Sequence, residues 1–267
     1  GTVIPALLKA LGVKEVVELN CEPTGRFAHN PEPIPENLIQ ISEKIKECGA
    51  DLGIVVDPDV DRLALVCENG EMFVEEYTLV AVADYVLKHT PGNTVSNLSS
   101  SRALRDVTLA HGQQYNAAAV GEVNVVTKMK ETNTVIGGEG NGGVIYPESH
   151  YGRDALVGVG LFLSHFVAEG KSMTVLKATY PQYFISKNKL TLSPDMDVDK
   201  ILEGLKKKYA SEEITDIDGV KIDFKDGWVH LRKSNTEPII RIYSESKDEA
   251  AANQLAEEVI KVAQSLY

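Results

Sequence analysis

The 267-residue chain has few cysteines, three in all, and few cations, 27 Lys and Arg against 39 Asp and Glu. Cys21, Cys48 and Cys67 form no metal-ligand spacing and leave an odd thiol, which fits the reducing cytoplasm better than a disulfide framework. A formal net charge of −12 makes nucleic acid and anionic membranes poor partners for the chain as a whole. No apolar run approaches the ~20 residues a membrane helix needs. The opening "GTVIPALLKALGV" has neither the basic start nor the small-residue cleavage site of a secretory signal. No Walker-type Lys-Ser/Thr follows the glycine-rich stretch 137–143, and no low-complexity tract is present. What remains is ordinary globular composition, 43% hydrophobic and 25% charged, at a length that can bury a core.

The element pattern divides into three stretches. Residues 2–11 have helical apolar spacing and stop at Gly12. "KEVVEL" reads as a short strand, "ENLIQISEKIKECG" as an amphipathic helix, "DLGIVV" as a buried strand and "RLALV" as another. Residues 1–72 are therefore expected to form the first of two α/β units with mixed, largely parallel sheets, this one cut short at its start. Residues 73–178 repeat the α/β rhythm: helix "EEYTLVAVADYVLKH", strand "GNTVSNL", a helix with serines at its N-cap, strand "QYNAAAV", helix "GEVNVVTKMKE", a strand broken by glycines, and a helix opened by Asp154. A linker "KATYPQYFISKN" follows. Residues 187–267 then read as an α+β unit, with strands turning at Asp218-Gly219 and Asp226-Gly227 into an antiparallel sheet.

Three loops carry chemistry. Asp57, Asp59 and Asp61 alternate between two apolar strands, with Arg62 next in line. Such a set can turn its carboxylates toward one hard cation such as Mg2+. An EF-hand would also place acids here and at Glu68, but it needs a glycine where Arg62 stands. An aspartate-nucleophile phosphatase would use D-x-D-x-[TV], and Asp61 occupies the Thr/Val place. A plain solvated turn explains the trio poorly, because three acids after a buried strand repel unless something neutralises them.

The second loop, "GGEGNGG", contains G-x-G-x-x-G, but strand-like "VIYP" follows where a dinucleotide fingerprint needs a helix. Glu139 and Asn141 at its tip suit sugar hydroxyls, set on a backbone free to approach a ligand closely; a glycine turn without a ligand is the alternative. In the third loop, "LRKSNTEPIIR", Arg232, Ser234, Asn235, Thr236 and Arg241 are the parts of a phosphate cradle. A merely polar hairpin is the alternative there.

Taken in order, these loops resemble those of the α-D-phosphohexomutase superfamily. D-x-D-x-D-R matches Asp57, Asp59, Asp61 and Arg62. G-E-x-[SN]-G matches Gly138, Glu139, Asn141 and Gly142. R-x-S-N-T-x-P matches Arg232, Ser234, Asn235, Thr236 and Pro238, with Arg241 beyond. "FAHNPEP" is similar to a family loop before the metal site and makes His29 a possible neighbour. The family's serine motif, like T-A-S-H-N-P, does not occur, so the resemblance implies a C-terminal piece of a four-domain enzyme, without its phosphoserine domain.

The resemblance implies transfer of a phosphoryl group between C1 and C6 of a hexose phosphate, through a phosphoserine and a bisphosphate intermediate. Asp57, Asp59 and Asp61 would hold Mg2+ and Arg62 would lie near the moving phosphate. Glu139 and Asn141 would hold the sugar, and the 232–241 loop the other phosphate. His29 and Lys128 are candidates for the acid or base. Glu122, near where some relatives carry histidine, leans the expectation toward a glucosamine phosphate. The fragment alone is expected to be inactive. The rivals are a non-catalytic phosphosugar-binding module and an aspartate-nucleophile phosphatase.

Overall fold

The computed structural model describes residues 1–192, 196–234 and 237–266. The two apolar runs flanking the acidic loop fold against each other as strands β1 (Leu52–Val56) and β2 (Leu63–Cys67), paired antiparallel from Leu52↔Cys67 to Val56↔Leu63. This differs from the expected parallel arrangement in the first unit. The segment 57–62 is too short for a parallel crossover, which needs a dozen or more residues. "KEVVEL" is not a strand: its backbone has no sheet partner among the described residues, and Val17 stays 44% exposed. A short valine-containing run alone cannot make a strand without a neighbour to take its N–H and C=O groups. Helices α1 (Val3–Ala10) and α2 (Ile39–Cys48) complete this part, α2 ending at left-handed Gly49.

Every residue of β2 is buried, because α3 (Glu75–His89) and α6 (Ala155–Glu169) cover it. Helix α3 is buried on nearly all sides, as a helix must be when it lies between a sheet and other helices. Its far side meets a four-stranded sheet of order β4-β3-β5-β6, built from β3 (Thr94–Asn97), β4 (Tyr115–Ala118), β5 (Ile136–Glu139) and β6 (Gly143–Ile145). The β3 pairings are parallel and β5–β6 is antiparallel, so the sheet is mixed, as expected. Helices α4 (Ala103–Ala110) and α5 (Glu122–Glu131) make the crossovers. Asp154 caps α6, accepting from Leu156 N–H at 2.8 Å and Val157 N–H at 3.1 Å.

After helix α7 (Met173–Ala178) the antiparallel part begins. Strand β7 (Phe184–Thr191) starts inside the stretch read as linker, and pairs along its length with β11 (Ile239–Ser246). With β8 (Glu213–Thr215), β9 (Val220–Phe224) and β10 (Gly227–Lys233) it forms an antiparallel sheet of order β7-β11-β10-β9-β8. Helices α8 (Val198–Lys208) and α9 (Glu249–Gln264) pack on it through Val198, Ile201, Leu205, Val259 and Ala263.

A polar seam joins this sheet to α4. Arg102 donates through Nη2 to Asp223 Oδ1 and Gly227 O, both at 2.9 Å, and its backbone N–H reaches Glu245 Oε1 at 3.1 Å. Trp228 Nε1 donates to the same Glu245 oxygen at 2.7 Å. His230, 1% exposed, lies between Asp218 O, 2.7 Å from its Nε2, and Ser99 Oγ, 2.8 Å from its Nδ1. A carbonyl only accepts, so Nε2 carries the proton and Nδ1 accepts from Ser99.

Burial pushes the His230 imidazole down to about 4 from its usual 6.5. The neutral ring gains a proton on unfolding below pH 6.5, so its contribution is complete above 6.5 and is lost as pH falls through about 4. Denaturant titrations at pH 7 and pH 4 are expected to show wild type losing roughly 3 kcal/mol more than His230→Gln over that interval. Equal losses in the two proteins would refute this account.

Candidate functional site

The acidic loop is closed around Asp57. Its Oδ1 accepts the backbone N–H groups of Asp61 and Arg62, both at 3.1 Å, and its Oδ2 accepts Arg62 Nε at 2.6 Å. Val60 sits at φ +61 with its N–H on Asp57 O at 3.1 Å. A β-branched residue enters the left-handed region only where its surroundings hold it there. The outer hold is Ala155, the first residue of α6, whose N–H donates to Val60 O at 3.0 Å. Arg62 reaches outward to Glu32 at 3.5 Å.

One carboxylate oxygen from each of Asp57, Asp59 and Asp61 can be chosen so that all lie within 4.8 Å of one another. Burial works against the Asp57 charge, but the hydrogen bonds and charge of Arg62 outweigh it and hold the group below its usual range. Asp61 behaves oppositely. Burial pushes it up to about 6; Arg153 opposes the rise, and Asp57 and Asp59 add to it. Three acids this close, one of them resisting ionisation, are a donor set short of positive charge. Hard oxygen donors of this kind fit a divalent cation such as Mg2+.

The glycine loop joins β5 to β6 and lies against this region. Leu63 N–H donates to Gly142 O at 3.0 Å, and Gly140 N–H donates to Ser100 Oγ at 3.0 Å. Glu139, 5% exposed, accepts from Asn97 Nδ2 at 2.9 Å, Gly121 N–H at 3.2 Å and Arg153 Nη1 at 3.1 Å. Asn141 is exposed, its Oδ1 accepting Gly143 N–H at 3.2 Å. Glu122 opens α5, and both its oxygens face Arg153: Oε1 accepts the backbone N–H at 3.1 Å and Oε2 accepts Nε at 3.3 Å. The same guanidinium pairs with Asp61 through Nη2.

The third loop lies between β10 and β11. Arg232 and Arg241 are directly opposite in the antiparallel register. Like charges so placed repel, and an anion between them relieves the repulsion. Arg241 also reaches Glu237 at 3.1 Å. Ser234 is buried and its Oγ accepts Glu237 N–H at 3.3 Å. Asn235 and Thr236 lie outside the described residues.

Asp57, Asp59, Asp61, Arg62, Glu139 and Glu122 thus meet in one network. Lys128 is not part of it: it pairs with Glu131 at 2.8 Å on the surface of α5. His29 is exposed, faces Asn30 O at 2.8 Å, and borders a cavity with Glu36, Gln40 and Glu43 along α2. Neither side chain has a hydrogen bond or ion pair to the acidic loop among the described residues. The serines read as an α4 cap divide their roles. Ser101 Oγ accepts Ala103 N–H at 3.1 Å, whereas Ser100 supports the glycine loop and Ser99 serves His230. Sequence reading missed Arg153 and Asn97. The only signal for Arg153 was its place directly before the Asp154 cap.

The described residues thus hold a carboxylate cluster of a kind that fits a hard cation, a buried carboxylate on a glycine loop, and two arginines opposed across a hairpin. The phosphoglucomutase/phosphomannomutase family models match in series: alpha/beta/alpha domain II at residues 1–70, alpha/beta/alpha domain III at 75–183 and the C-terminal domain at 190–262. A phosphoglucomutase/phosphomannomutase of Thermococcus kodakarensis is 40% identical over 263 residues, covering 97% of this chain and 57% of that protein. A phosphoglucosamine/phosphogalactosamine mutase of Sulfurisphaera tokodaii is 32% identical over 264 residues, covering 97% and 58%. Among solved structures, a phosphoglucomutase/phosphomannomutase family protein from Burkholderia thailandensis matches with TM-score 0.84 at 28% identity, over 97% of this chain and 57% of that one. The chain belongs to the α-D-phosphohexomutase superfamily, and spans somewhat under three-fifths of the length of these relatives.

Gly142 has φ +90, and a Cβ there would collide with Leu63 O. Gly142→Ala is expected to pull the glycine loop from β2 and cost about 1–3 kcal/mol of stability in denaturant titration. An unchanged midpoint would show that the two loops are not locked together.

Proposed function

We propose that this chain supplies the metal, sugar and distal-phosphate sites of a phosphohexomutase that moves a phosphoryl group between C1 and C6 of a hexose phosphate. The strongest support is that Asp61 of the acidic loop and Glu139 of the glycine loop share one guanidinium. That shared contact ties two loops far apart in sequence together, which supports a common site.

Asp57, Asp59 and Asp61 would hold Mg2+. When bound, that ion supplies a hard Lewis acid that offsets charge on the transferring group. Arg62, fixed on Asp57, directs positive charge toward the same place. Glu139, held by three donors, keeps its carboxylate oriented to accept from sugar hydroxyls. Asn141, at the exposed tip, adds a donor and an acceptor. Arg232 and Arg241 would grip the phosphate that does not react, with Ser234, Asn235 and Thr236 beside them. Holding that remote group orients the reacting one. The phosphoryl donor would be a seryl phosphate carried by polypeptide outside these 267 residues, in the bisphosphate-exchange scheme of the family.

Asp57 is engaged by two backbone N–H groups and Arg62, which disfavours it as a phosphatase nucleophile. We favour a glucosamine phosphate as the physiological hexose, on the names of several relatives near 32% identity. Glu122 supports this less than its position suggested, because Arg153 already occupies both its oxygens. A cytoplasmic setting suits the three free thiols. No helix among the described residues is long and apolar enough to cross a membrane.

Calorimetry of the chain with glucose 1,6-bisphosphate and Mg2+ is expected to show binding, weakened at least about tenfold by Arg232→Met or by Glu139→Gln. The chain alone is expected to give no isomerisation of glucose, mannose or glucosamine phosphates. Absence of bisphosphate binding would sink the proposal. Mg2+-dependent phosphate release abolished by Asp57→Asn would replace it with the phosphatase.

A further inference from the structure

Arg153 is the point at which three acidic segments converge. Its guanidinium touches Asp61, Glu139 and Glu122, and its own N–H donates to Glu122. The root of the side chain is fixed. Asp154 caps α6 directly after it, and Ala155 is bonded to Val60 of the acidic loop at 3.0 Å. The stem is fixed as well, because Gly143 leaves the space that it fills, and a Cβ there would collide with Arg153 Cδ. With a side chain only 19% exposed, the guanidinium is screened from water on most sides.

Asp61 has a second claimant. As one corner of the carboxylate triad it would also face a divalent cation. A guanidinium and a cation on one carboxylate repel each other, so each weakens the hold of the other. The two arginines of the site differ in what they could do about this. Arg62 is tied to Asp57 at 2.6 Å, and its other acids are more distant, Glu32 at 3.5 Å and Asp61 at 3.8 Å. Arg153, released from Asp61, would keep Glu139 at 3.1 Å and Glu122 at 3.3 Å. It can let go of one acid and remain paired.

We propose that Arg153 is a built-in counter-ion that competes with the divalent cation for Asp61 and withdraws onto Glu139 and Glu122 when the cation binds. The inference rests on the metal reading above and assigns Arg153 a positioning role. Without the cation, Arg153 keeps the acidic loop assembled against its own repulsion. With the cation, its charge is concentrated on the carboxylate that faces the sugar. Metal binding at one loop is thereby felt at the other, and the coupling is reciprocal. The competition also sets a threshold: a weakly attracted monovalent ion does not displace a guanidinium, whereas Mg2+ does.

The test is Mg2+ titration calorimetry at constant ionic strength on the wild-type chain, Arg153→Met and Arg153→Lys. Arg153→Met is expected to bind Mg2+ about tenfold more tightly, because one competing charge is gone. Arg153→Lys is expected to stay near wild type, and Asp61→Asn is expected to abolish the gain in the Arg153→Met background. Unchanged or weaker binding by a folded Arg153→Met would overturn the inference. Should that variant not fold, the side-chain Nε resonance of Arg153, assigned from its loss in the Lys variant, is followed in wild type during Mg2+ addition. A shift that saturates with the ion supports the inference; a stationary resonance overturns it. If no protein in the series binds Mg2+, the metal reading falls and takes the inference with it. If wild type binds and Arg153→Met gains nothing, the inference alone fails.

Discussion

Negative charge gathered at one place has to be balanced, and in this chain a single guanidinium carries much of that balance. Arg153 reaches Asp61, Glu139 and Glu122, which belong to three segments with no local reason to meet. The backbone around it is arranged to make the meeting possible. A left-handed Val60 turns the acidic loop toward α6, a capped α6 starts at the residue that holds Val60, and glycines at 142 and 143 let the glycine loop close against β2 and Arg153. Strain at Val60 and repulsion among the acids are tolerated because the same contacts offset both.

What could be read in the sequence followed from how local each feature is. "DPDVDR" was legible because its chemistry lies in adjacent residues, and a loop between two apolar runs leaves those residues few other uses. Most helices and strands were legible from periodicity and caps, Asp154 among them. "KEVVEL" misled because pairing belongs to two segments and its own valines say nothing about a partner. The antiparallel pairing of β1 with β2 was hidden for a similar reason: element order carries no strand direction, which the shortness of 57–62 sets. Strand β7 was missed at its start because "YPQYFISKN" resembles a linker in composition, while β11 supplies the partner that makes it a strand.

The candidate site shows the same division. In the acidic and glycine loops, the residues that the family motifs name are linked by ion pairs and hydrogen bonds. Arg153 carries no motif, since its importance arises only once three distant carboxylates are folded around it. Asn97 is similar, a strand-end amide that gains meaning by holding Glu139 at 2.9 Å. Ser99 and Ser100 looked like a helix cap because hydroxyls before a helix usually are one. Here the fold turns them toward a buried histidine and a glycine backbone instead. Lys128 and His29 were read as residue types, and their hydrogen bonds lie at exposed positions rather than in this network.

The opposed arginines of the β10–β11 hairpin have a consequence for how this sheet can change. Arg232 and Arg241 face each other across the strands with the same sign. Reversing either charge would create a cross-strand ion pair, a rearrangement that favours the folded hairpin. That pair would also remove the positive charge on which the proposed phosphate grip relies. The hairpin is therefore one substitution away from being sturdier and less able to attract an anion, and selection for stability alone would push it in that direction.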